Sequence, residues 1–274
     1  MNKKTISFLI YVVLILGALV MLVPFIWMIL TAFKTISEST QVDPFVIFPS
    51  KFRFENFVTV IKSMDFPRLY LNTIGLIAIR VILAVITSNM AGYAFARLEF
   101  KGKNVMFGLV LFQMMIPAQI FIIPQYVMVS KLHLTNTIFG LVFPGLVSAF
   151  GTFLMRQSYM RLSRELEDAA KLDGCNIFQT FIYVMAPLTK SSMVALAVFT
   201  SVFAYKELMW PMIVCPDSRY TTLASALAKM QGQYSTNYPE LMAAALIACI
   251  PMIVLYVIFQ KQFIEGIATS GTKG

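Results

Sequence analysis

The stretch TISFLIYVVLILGALVMLVPFIWMILTAF, residues 5–33, decides the class of fold because it runs for about 29 residues without a charged side chain. A helix of about 20 apolar residues crosses the ~30 Å hydrocarbon core of a bilayer. The stretch is too long for the apolar core of a signal peptide, and no small-residue cleavage site follows it. We therefore expect a retained first membrane span, from about Ser7 to Phe33.

The rest of the chain repeats this pattern. Of its 274 residues, 58% are hydrophobic and 13% are charged, whereas a soluble domain has about 45–50% and about 25%. Each span must be helical, because a lone segment in lipid has to satisfy its own backbone hydrogen bonds. The sequence predicts an all-α polytopic membrane protein, one transmembrane domain over residues 1–274. Its six expected spans are about Ser7–Phe33, Tyr70–Phe95, Val105–Val129, Ile138–Met155, Ser192–Val214 and Leu241–Phe259.

The distribution of cations predicts the orientation. Arg97, Lys101 and Lys103 follow the second span, whereas Lys131 stands alone after the third. Since Lys and Arg are enriched in cytoplasmic loops, we expect both termini and the loop at about 157–190 inside, and the loop at about 34–69 outside. The same rule accounts for the net charge of +9 without nucleic acid as a partner. The apolar segment Ile177–Leu188 is too short to cross as a helix, so we expect six spans rather than seven.

The main polar island in the later part of the chain is RELEDAAKLDGCNIFQTFIYVMAPL, which we call the central segment (Arg164–Leu188). Ser163 can cap a first helix, and Gly174 suits its end. Asn176 can cap a second short helix, which Pro187 ends. The pattern predicts two short helices joined by an Asp-Gly turn. A solvated helical loop has the same general features. One face of the first helix carries Leu162, Leu166, Ala169, Ala170 and Asp173.

The order of residues in this segment resembles the Glu-Ala-Ala…Gly…Leu-Pro motif of inner-membrane permease subunits of binding-protein-dependent ABC importers. Asp168 stands where that family usually has Glu, and Cys175 where it usually has Ala. The resemblance extends over nearly the whole chain and is closest to the shorter, six-span subunit of the maltose-type carbohydrate branch. It is carried by Asp168-Ala169-Ala170, Asp173-Gly174, Phe181, Pro187-Leu188, Asn72-Thr73, Tyr93–Arg97, Met114–Pro117, Leu134–Thr137 and the tail Gln260–Gly266 and Gly271–Gly274.

The resemblance implies a type I importer architecture in which a cytoplasmic coupling loop is held by a separate ATPase. It also implies a second permease subunit, two ATPase subunits that bind ATP and Mg²⁺, an extracytoplasmic solute-binding protein and a carbohydrate substrate moved by alternating access in a bacterial cytoplasmic membrane. The residues that it assigns to ATPase coupling are Glu165, Asp168, Ala169, Ala170, Asp173, Gly174 and Pro187.

No enzyme site is expected in the chain itself, nor a cofactor of its own. The Gly-x-x-x-x-Gly-Lys-Ser/Thr phosphate loop is missing from the sequence. Its single histidine, His133, and three dispersed cysteines form neither a catalytic nor a metal pattern. We therefore expect a transport subunit whose ATP is hydrolysed elsewhere.

Charged residues within the spans mark a candidate translocation path, because charge in a membrane is costly and is usually functional. Tyr205, Lys206, Glu207 and Trp210 lie late in the fifth span, where the family commonly shows Trp-Asn-acidic-Phe. Lys206 would alternatively extend its ammonium to the outer interface, and Arg80 is interpreted as a partner-facing or interfacial cation. The alternatives are a permease for another small polar solute and a self-sufficient secondary transporter.

Overall fold

The computed structural model describes residues 3–232 and 235–271, and every regular element in these ranges is helical. The chain divides into two compact units, which are described in turn. The first joins the chain up to Phe66 with Ala226–Pro251, and the second joins Pro67–Ser225 with the chain from Met252. Residues 272–274, which carry part of the family-like tail, lie outside the described residues.

The first unit begins with the long helix α1 (Lys3–Ala32). Its apolar side chains, from Phe8 at 67% exposed to Met21 at 74%, are open along the helix. Within Thr5–Ala32, an 18-residue window has a mean hydropathy of 3.0, and none of that window is buried. This is the surface of a helix that lies in lipid or against another membrane subunit, as residues 5–33 predict.

The segment after α1 is folded rather than open, with helices α2 (Ile36–Thr40) and α3 (Glu55–Ser63). The side chain of Lys34 is fully buried. Its Nζ donates to the carbonyl of Val46 at 2.7 Å and lies 3.9 Å from the centre of the Trp27 ring. The Asn56 amide donates to the carbonyls of Ala32 and Lys34 at 2.8 and 3.0 Å. These contacts fix the loop to the end of α1.

A capping box starts α2. The Thr35 hydroxyl accepts from the backbone N–H of Glu38, and the Glu38 carboxylate accepts from the N–H of Thr35 at 2.8 Å. The other carboxylate oxygen accepts from the N–H of Ser50 at 3.0 Å. Because the hydrogen bonds from Ser50 and Thr35 favour the ionised form, they lower the pKa of Glu38 to about 2.

The second unit starts with α4 (Phe66–Arg97), the second long membrane helix. The expected third span, Val105–Val129, is not one helix. It is α5 (Lys103–Met115), a 3-10 turn (Ala118–Phe121) and α6 (Ile122–Lys131), bent by 101°. Pro117 has no N–H and drives the residue before it out of the helical region, and Ile116 has φ −89° and ψ 127°.

The fourth expected span is also bent, by 47°, between α7 (Ile138–Val142) with its 3-10 turn (Phe143–Gly145) and α8 (Ala149–Met160). The Ser148 hydroxyl restarts the helix by accepting from the N–H of Gly151 at 2.9 Å.

After α8 come α9 (Glu165–Leu172), α10 (Ile177–Gln179), a π-helical turn (Thr180–Met185), α11 (Ala186–Leu188), α12 (Lys190–Lys206) and α13 (Met209–Val214). The prediction of a continuous fifth span over Ser192–Val214 is therefore wrong, since the helix stops at Lys206. Pro211 explains the stop, because a proline ring clashes with the carbonyl four residues earlier, which is that of Glu207.

Two helices complete the chain, α14 (Leu223–Lys229) and α15 (Tyr238–Gly271). By length and composition three helices can cross a membrane: α1, α4 and Tyr238–Gln260 of α15. Up to six can do so if each bent pair counts as one crossing, the third pair being Ile177–Leu188 with α12, at 75°. The expected number of six fits this arrangement if each bent pair crosses once, and three breaks, in the third, fourth and fifth expected spans, were not predicted.

Glycines let α4 and α8 cross closely in the second unit. A Cβ on Gly92 would lie 2.5 Å from Cβ of Met155 and 2.8 Å from the backbone nitrogen of Arg156. Next to this crossing, five buried residues form a core: Tyr93, Met155, Tyr159, Met185 and Leu196. Because Met185 belongs to the central segment, this core seats that segment beside the ends of α4 and α8.

Candidate functional site

The first helix of the central segment, α9, stops before Gly174 as the sequence predicts, and it begins one residue later than expected, with Arg164 rather than Ser163 at the N-cap. The Ser163 hydroxyl accepts from the N–H of Glu165 at 3.2 Å, and the first turn carries three carboxylates, which the helix dipole stabilises. Gly174 has φ +82°. In the turn around it, the N–H of Cys175 donates to the carbonyl of Ala170 at 2.9 Å. A left-handed residue with such a bond is a common helix stop.

The second helix begins at a capping box, in which Asn176 and Gln179 exchange side-chain and backbone hydrogen bonds of 2.9 Å. It continues through the π-helical turn, which buries Thr180 and Met185, and ends at Leu188, one residue after Pro187. The two-helix prediction is confirmed, and the π-helical turn is an addition to it.

The residues expected to contact an ATPase divide into two groups. Ala170 is only 4% exposed, because it packs inside this chain. The surface is instead more apolar than expected, with Leu172 90% exposed and Phe178 62% exposed. The remaining six are exposed: Glu165, Asp168, Ala169, Asp173, Gly174 and Pro187.

An ion pair joins α9 to α4, and the sequence interpretation did not find it. Nε of Arg97 lies 3.7 Å from a carboxylate oxygen of Glu167, and the two side chains are 5% and 13% exposed. The distribution of cations predicts only that Arg97 lies at the cytoplasmic end of a span. The one sequence signal was its place as the last residue of α4, where a cation suits the helix dipole.

A cavity of about 500 Å³ with several polar and charged side chains in its lining lies where three broken elements of the second unit meet. Its walls include the break before Pro117, the 3-10 turn at Pro144 and the break between α12 and α13. Three glutamines, at positions 113, 119 and 125, offer amides to it. The full lining is Arg80, Gln113, Ile116, Ala118, Gln119, Phe121, Ile122, Gln125, Pro144, Lys206, Glu207, Leu208, Met209 and Trp210.

Arg80 and Glu207 form an ion pair in the wall of this cavity, with side chains 8% and 25% exposed. The other guanidinium nitrogen of Arg80 donates to the carbonyl of Leu141 at 2.6 Å. A Cβ on Gly145 would lie 2.7 Å from Cδ of Arg80, so this glycine makes room for the arginine. The interpretation of Arg80 as a partner-facing or interfacial cation was wrong, because it is buried and joins α4, α7 and the break at Glu207.

Three of the four residues expected on a translocation path line this cavity: Lys206, Glu207 and Trp210. The ring of Trp210 is 2% exposed, and its N–H donates to the carbonyl of Gly140 at 3.0 Å. Lys206 is exposed and ends α12. Tyr205 is half-buried next to these residues but is not part of the described lining. The chemistry of the cavity combines amide hydrogen bonds, a fixed ion pair and an additional cation.

Comparison with known proteins agrees with this architecture. The family described as binding-protein-dependent transport system inner membrane component matches residues 88–268, which include the central segment and most of the cavity lining. A solved chain from a bacterial ABC transporter involved in the import of the acidic polysaccharide alginate has a similar fold. The TM-score is 0.79 at 24% identity, over 96% of this chain and 99% of that one.

Curated relatives align over nearly their whole length. The arabinooligosaccharides transport system permease protein AraQ of Halalkalibacterium halodurans is 31% identical over 100% of both chains, and its counterpart in Bacillus subtilis is 32% identical over 94% of this chain and 92% of that one. The lactose transport system permease protein LacG of Rhizobium radiobacter is 28% identical over 95% and 94%. With the bent membrane helices and the central segment, these matches show that this chain is an integral membrane protein and belongs to the family of inner membrane components of binding-protein-dependent transport systems.

Proposed function

We propose that the chain is a pore-forming subunit of an ATP-driven ABC importer for a sugar or oligosaccharide. The observation that carries the proposal is the full-length similarity to the AraQ and LacG permeases. The cavity supports it, because amides of Gln113, Gln119 and Gln125 suit sugar hydroxyls. A second permease subunit, two ATPase subunits and an extracytoplasmic binding protein complete the proposed complex, in which ATP and Mg²⁺ are bound by the ATPases.

The mechanism that we propose is alternating access. ATP binding closes the ATPase pair, the central segments of the two permease subunits move together, and the path opens outward to receive the sugar. In this scheme both termini and the central segment face the cytoplasm of a bacterial cell, and the segment at about 34–69 faces outward. The open apolar side chains of Leu172 and Phe178 support docking of the central segment, since apolar surface is removed from water when a partner covers it.

A reconstituted complex tests the function directly. Proteoliposomes with both permeases and the ATPases, supplied with the binding protein, should accumulate a radiolabelled arabino-oligosaccharide or lactose only with ATP. Omission of this chain should abolish uptake. A complex that takes up none of a wide saccharide panel would contradict the sugar assignment. Uptake of sn-glycerol-3-phosphate instead would favour the other small polar solute, since permeases for that compound are 27% identical to this chain.

Substitution of neighbouring alanines tests the docking. Ala169→Trp changes the open face of α9, so it should release the ATPase from affinity-purified permease while leaving the permease folded. Ala170→Trp should lower the yield of folded permease, because this site is buried in the chain itself. Full ATPase retention with Ala169→Trp would contradict docking on this face.

Cysteine labelling tests the proposed orientation. A membrane-impermeant maleimide added outside cells should modify a cysteine placed at Lys51 and leave one placed at Gly174 unmodified. Labelling of position 174 from outside would reverse the topology. A self-sufficient secondary transporter is disfavoured, because its coupling ion needs a carboxylate in the membrane and Glu207 is already paired with Arg80.

A further inference from the structure

Arg97 contacts three separate pieces of the second unit. One guanidinium nitrogen donates to the carbonyl of Tyr159 at 2.6 Å and also to that of Leu162. Its Nε faces Glu167 at 3.7 Å. Arg97 ends α4, Tyr159 and Leu162 lie at the end of α8, and Glu167 lies on α9. A single planar side chain therefore joins two membrane helices to the central segment.

These contacts are buried and charged, and Nε of Arg97 meets the Glu167 oxygen as an ion pair without a hydrogen bond between them. The carbonyls at the end of a helix carry partial negative charge and attract a cation. Loss of one member of a buried ion pair leaves an uncompensated charge, so the pair resists separation. Two nearby ion pairs are more exposed to solvent than Arg97–Glu167. The side chains of Lys171 and Asp168, both on α9, are 66% and 68% exposed, and Glu99, which pairs with Lys103, is 81% exposed.

Glu167 also takes a hydrogen bond from the Tyr93 side chain, so two residues near the end of α4 hold this carboxylate. A cavity of about 730 Å³ lies beside the pair and is lined by Arg97, Glu167, Lys171, Cys175 and Phe178 among others. Elsewhere, α9 packs against the π-helical turn, and Ala170 is buried on α9.

We infer that Arg97 is a positioning residue that fastens the central segment to α4 and α8, so that movement of α9 is passed to the membrane helices through Glu167. The inference rests on the proposed function and names two residues, Arg97 and Glu167, outside the coupling set assigned by resemblance. Glu167 lies on the same helix as most of that set, and its side chain is paired with Arg97.

The test measures whether ATP still changes the accessibility of position 119 in the cavity when the Arg97–Glu167 ion pair is weakened. Gln119→Cys is placed in a chain whose native cysteines, Cys175, Cys215 and Cys249, are replaced by serine or alanine. The complete complex in lipid nanodiscs, with its binding protein, is labelled with N-ethylmaleimide, with and without ATP, Mg²⁺ and vanadate. The readout is the ATP-dependent change in labelling rate, alongside the amount of ATPase retained.

Three variants separate positioning from general structure. Glu167→Gln keeps both carbonyl bonds of Arg97 but removes the charge that α9 offers, so the permease should fold and retain its ATPase. Its ATP-dependent labelling change should fall about fivefold or more, the lower end of typical coupling between sites. Arg97→Lys keeps the charge without the planar fork, so an intermediate loss is expected. Arg156→Gln is the matched control, since Arg156 bonds the same end of α4 through the carbonyl of Phe95 at 3.3 Å and packs on the ring of Phe107, with no hydrogen bond or ion pair to α9 described.

The outcomes are distinct. Loss of the ATP response in Glu167→Gln, with ATPase retained and Arg156→Gln unaffected, supports the inference. A full response in Glu167→Gln overturns it, and so does an equal loss in Arg156→Gln, because the effect would then be general to the helix end. A parent complex with no ATP response would overturn the alternating-access function and this inference with it.

Discussion

Truncation of Glu207 should destabilise the second unit, because it leaves the Arg80 guanidinium buried without its carboxylate. Arg80 would keep only its bond to the carbonyl of Leu141. The Nε of Arg80 has no hydrogen-bond partner in the described structure, so the remaining partner has to compensate the charge alone. Water that enters through the cavity lowers the cost but does not replace the carboxylate.

The magnitude follows from burial. Removal of one partner from a buried ion pair costs about 3–5 kcal/mol, and exposed pairs are worth about 0–1 kcal/mol. The Arg80 side chain is 8% exposed and that of Glu207 is 25% exposed, so the pair lies toward the buried limit with some screening from the cavity. We expect Glu207→Ala to lower the free energy of unfolding by about 2–3 kcal/mol.

The assay is reversible unfolding of the purified permease in bicelles, followed by tryptophan fluorescence, since Trp210 lies in the same core as Leu141 and Val142. Asp168→Ala, which breaks an exposed pair, is the control and should change the free energy by less than about 1 kcal/mol. An equal effect of the two substitutions would refute the buried-pair reasoning. The double variant Arg80→Met with Glu207→Leu should cost less than Glu207→Ala, because no buried charge remains.

Three further outcomes are expected. Gly92→Ala should cost about 1–3 kcal/mol in unfolding experiments, because its Cβ would meet Met155 at 2.5 Å, whereas Gly75→Ala on the same helix has open space and should be neutral or stabilising; equal effects would exclude a close crossing. Gly174→Ala should cost about 1–2 kcal/mol of stability through its positive φ alone, and Gly174→Asn should cost less; a neutral Ala variant would place the residue in another conformation. Hydrogen bonds from Ser50 and Thr35 lower the pKa of Glu38 to about 2. These bonds should therefore stabilise the loop fully above the ordinary glutamate pKa of about 4.5, and this stabilisation should be lost as the pH falls through about 2. Hydrogen exchange of the Ser50 amide measures this, and Glu38→Gln should remove the acid dependence; an unchanged dependence would assign it to another group.

The membrane class and the number of crossings follow from the sequence because long uncharged runs have few alternatives. The breaks within the spans are harder to place. Prolines also lie inside long helices of this protein, such as Pro24 in α1, so a proline alone does not show where a helix stops. At Pro117 and Pro211 the neighbouring polar and charged residues, Gln119 and Glu207, give water or a partner access to the freed backbone groups.

The central segment shows what local patterns can and cannot predict. Caps and turns are set by neighbouring residues, so Gly174 and the Asn176 cap are confirmed. The helix pattern places Ala170 on one face of α9, but it does not show that the chain itself covers this residue. Arg80 and Arg97 were misjudged for a related reason, since their partners lie 127 and 70 residues away in sequence, and nothing local shows that a cation is paired.

The broken third span has a consequence for hydration. Helix α5 has 13 residues, a rise of about 20 Å, which is less than the ~30 Å of hydrocarbon. The peptide groups where α5 stops therefore lie at a depth at which lipid offers no hydrogen bonds. They are tolerated only where water or protein reaches them. The break thus brings water into the interior of the bilayer, and deuterium from the solvent should reach the amide of Gln119 long before it reaches the middle of α4.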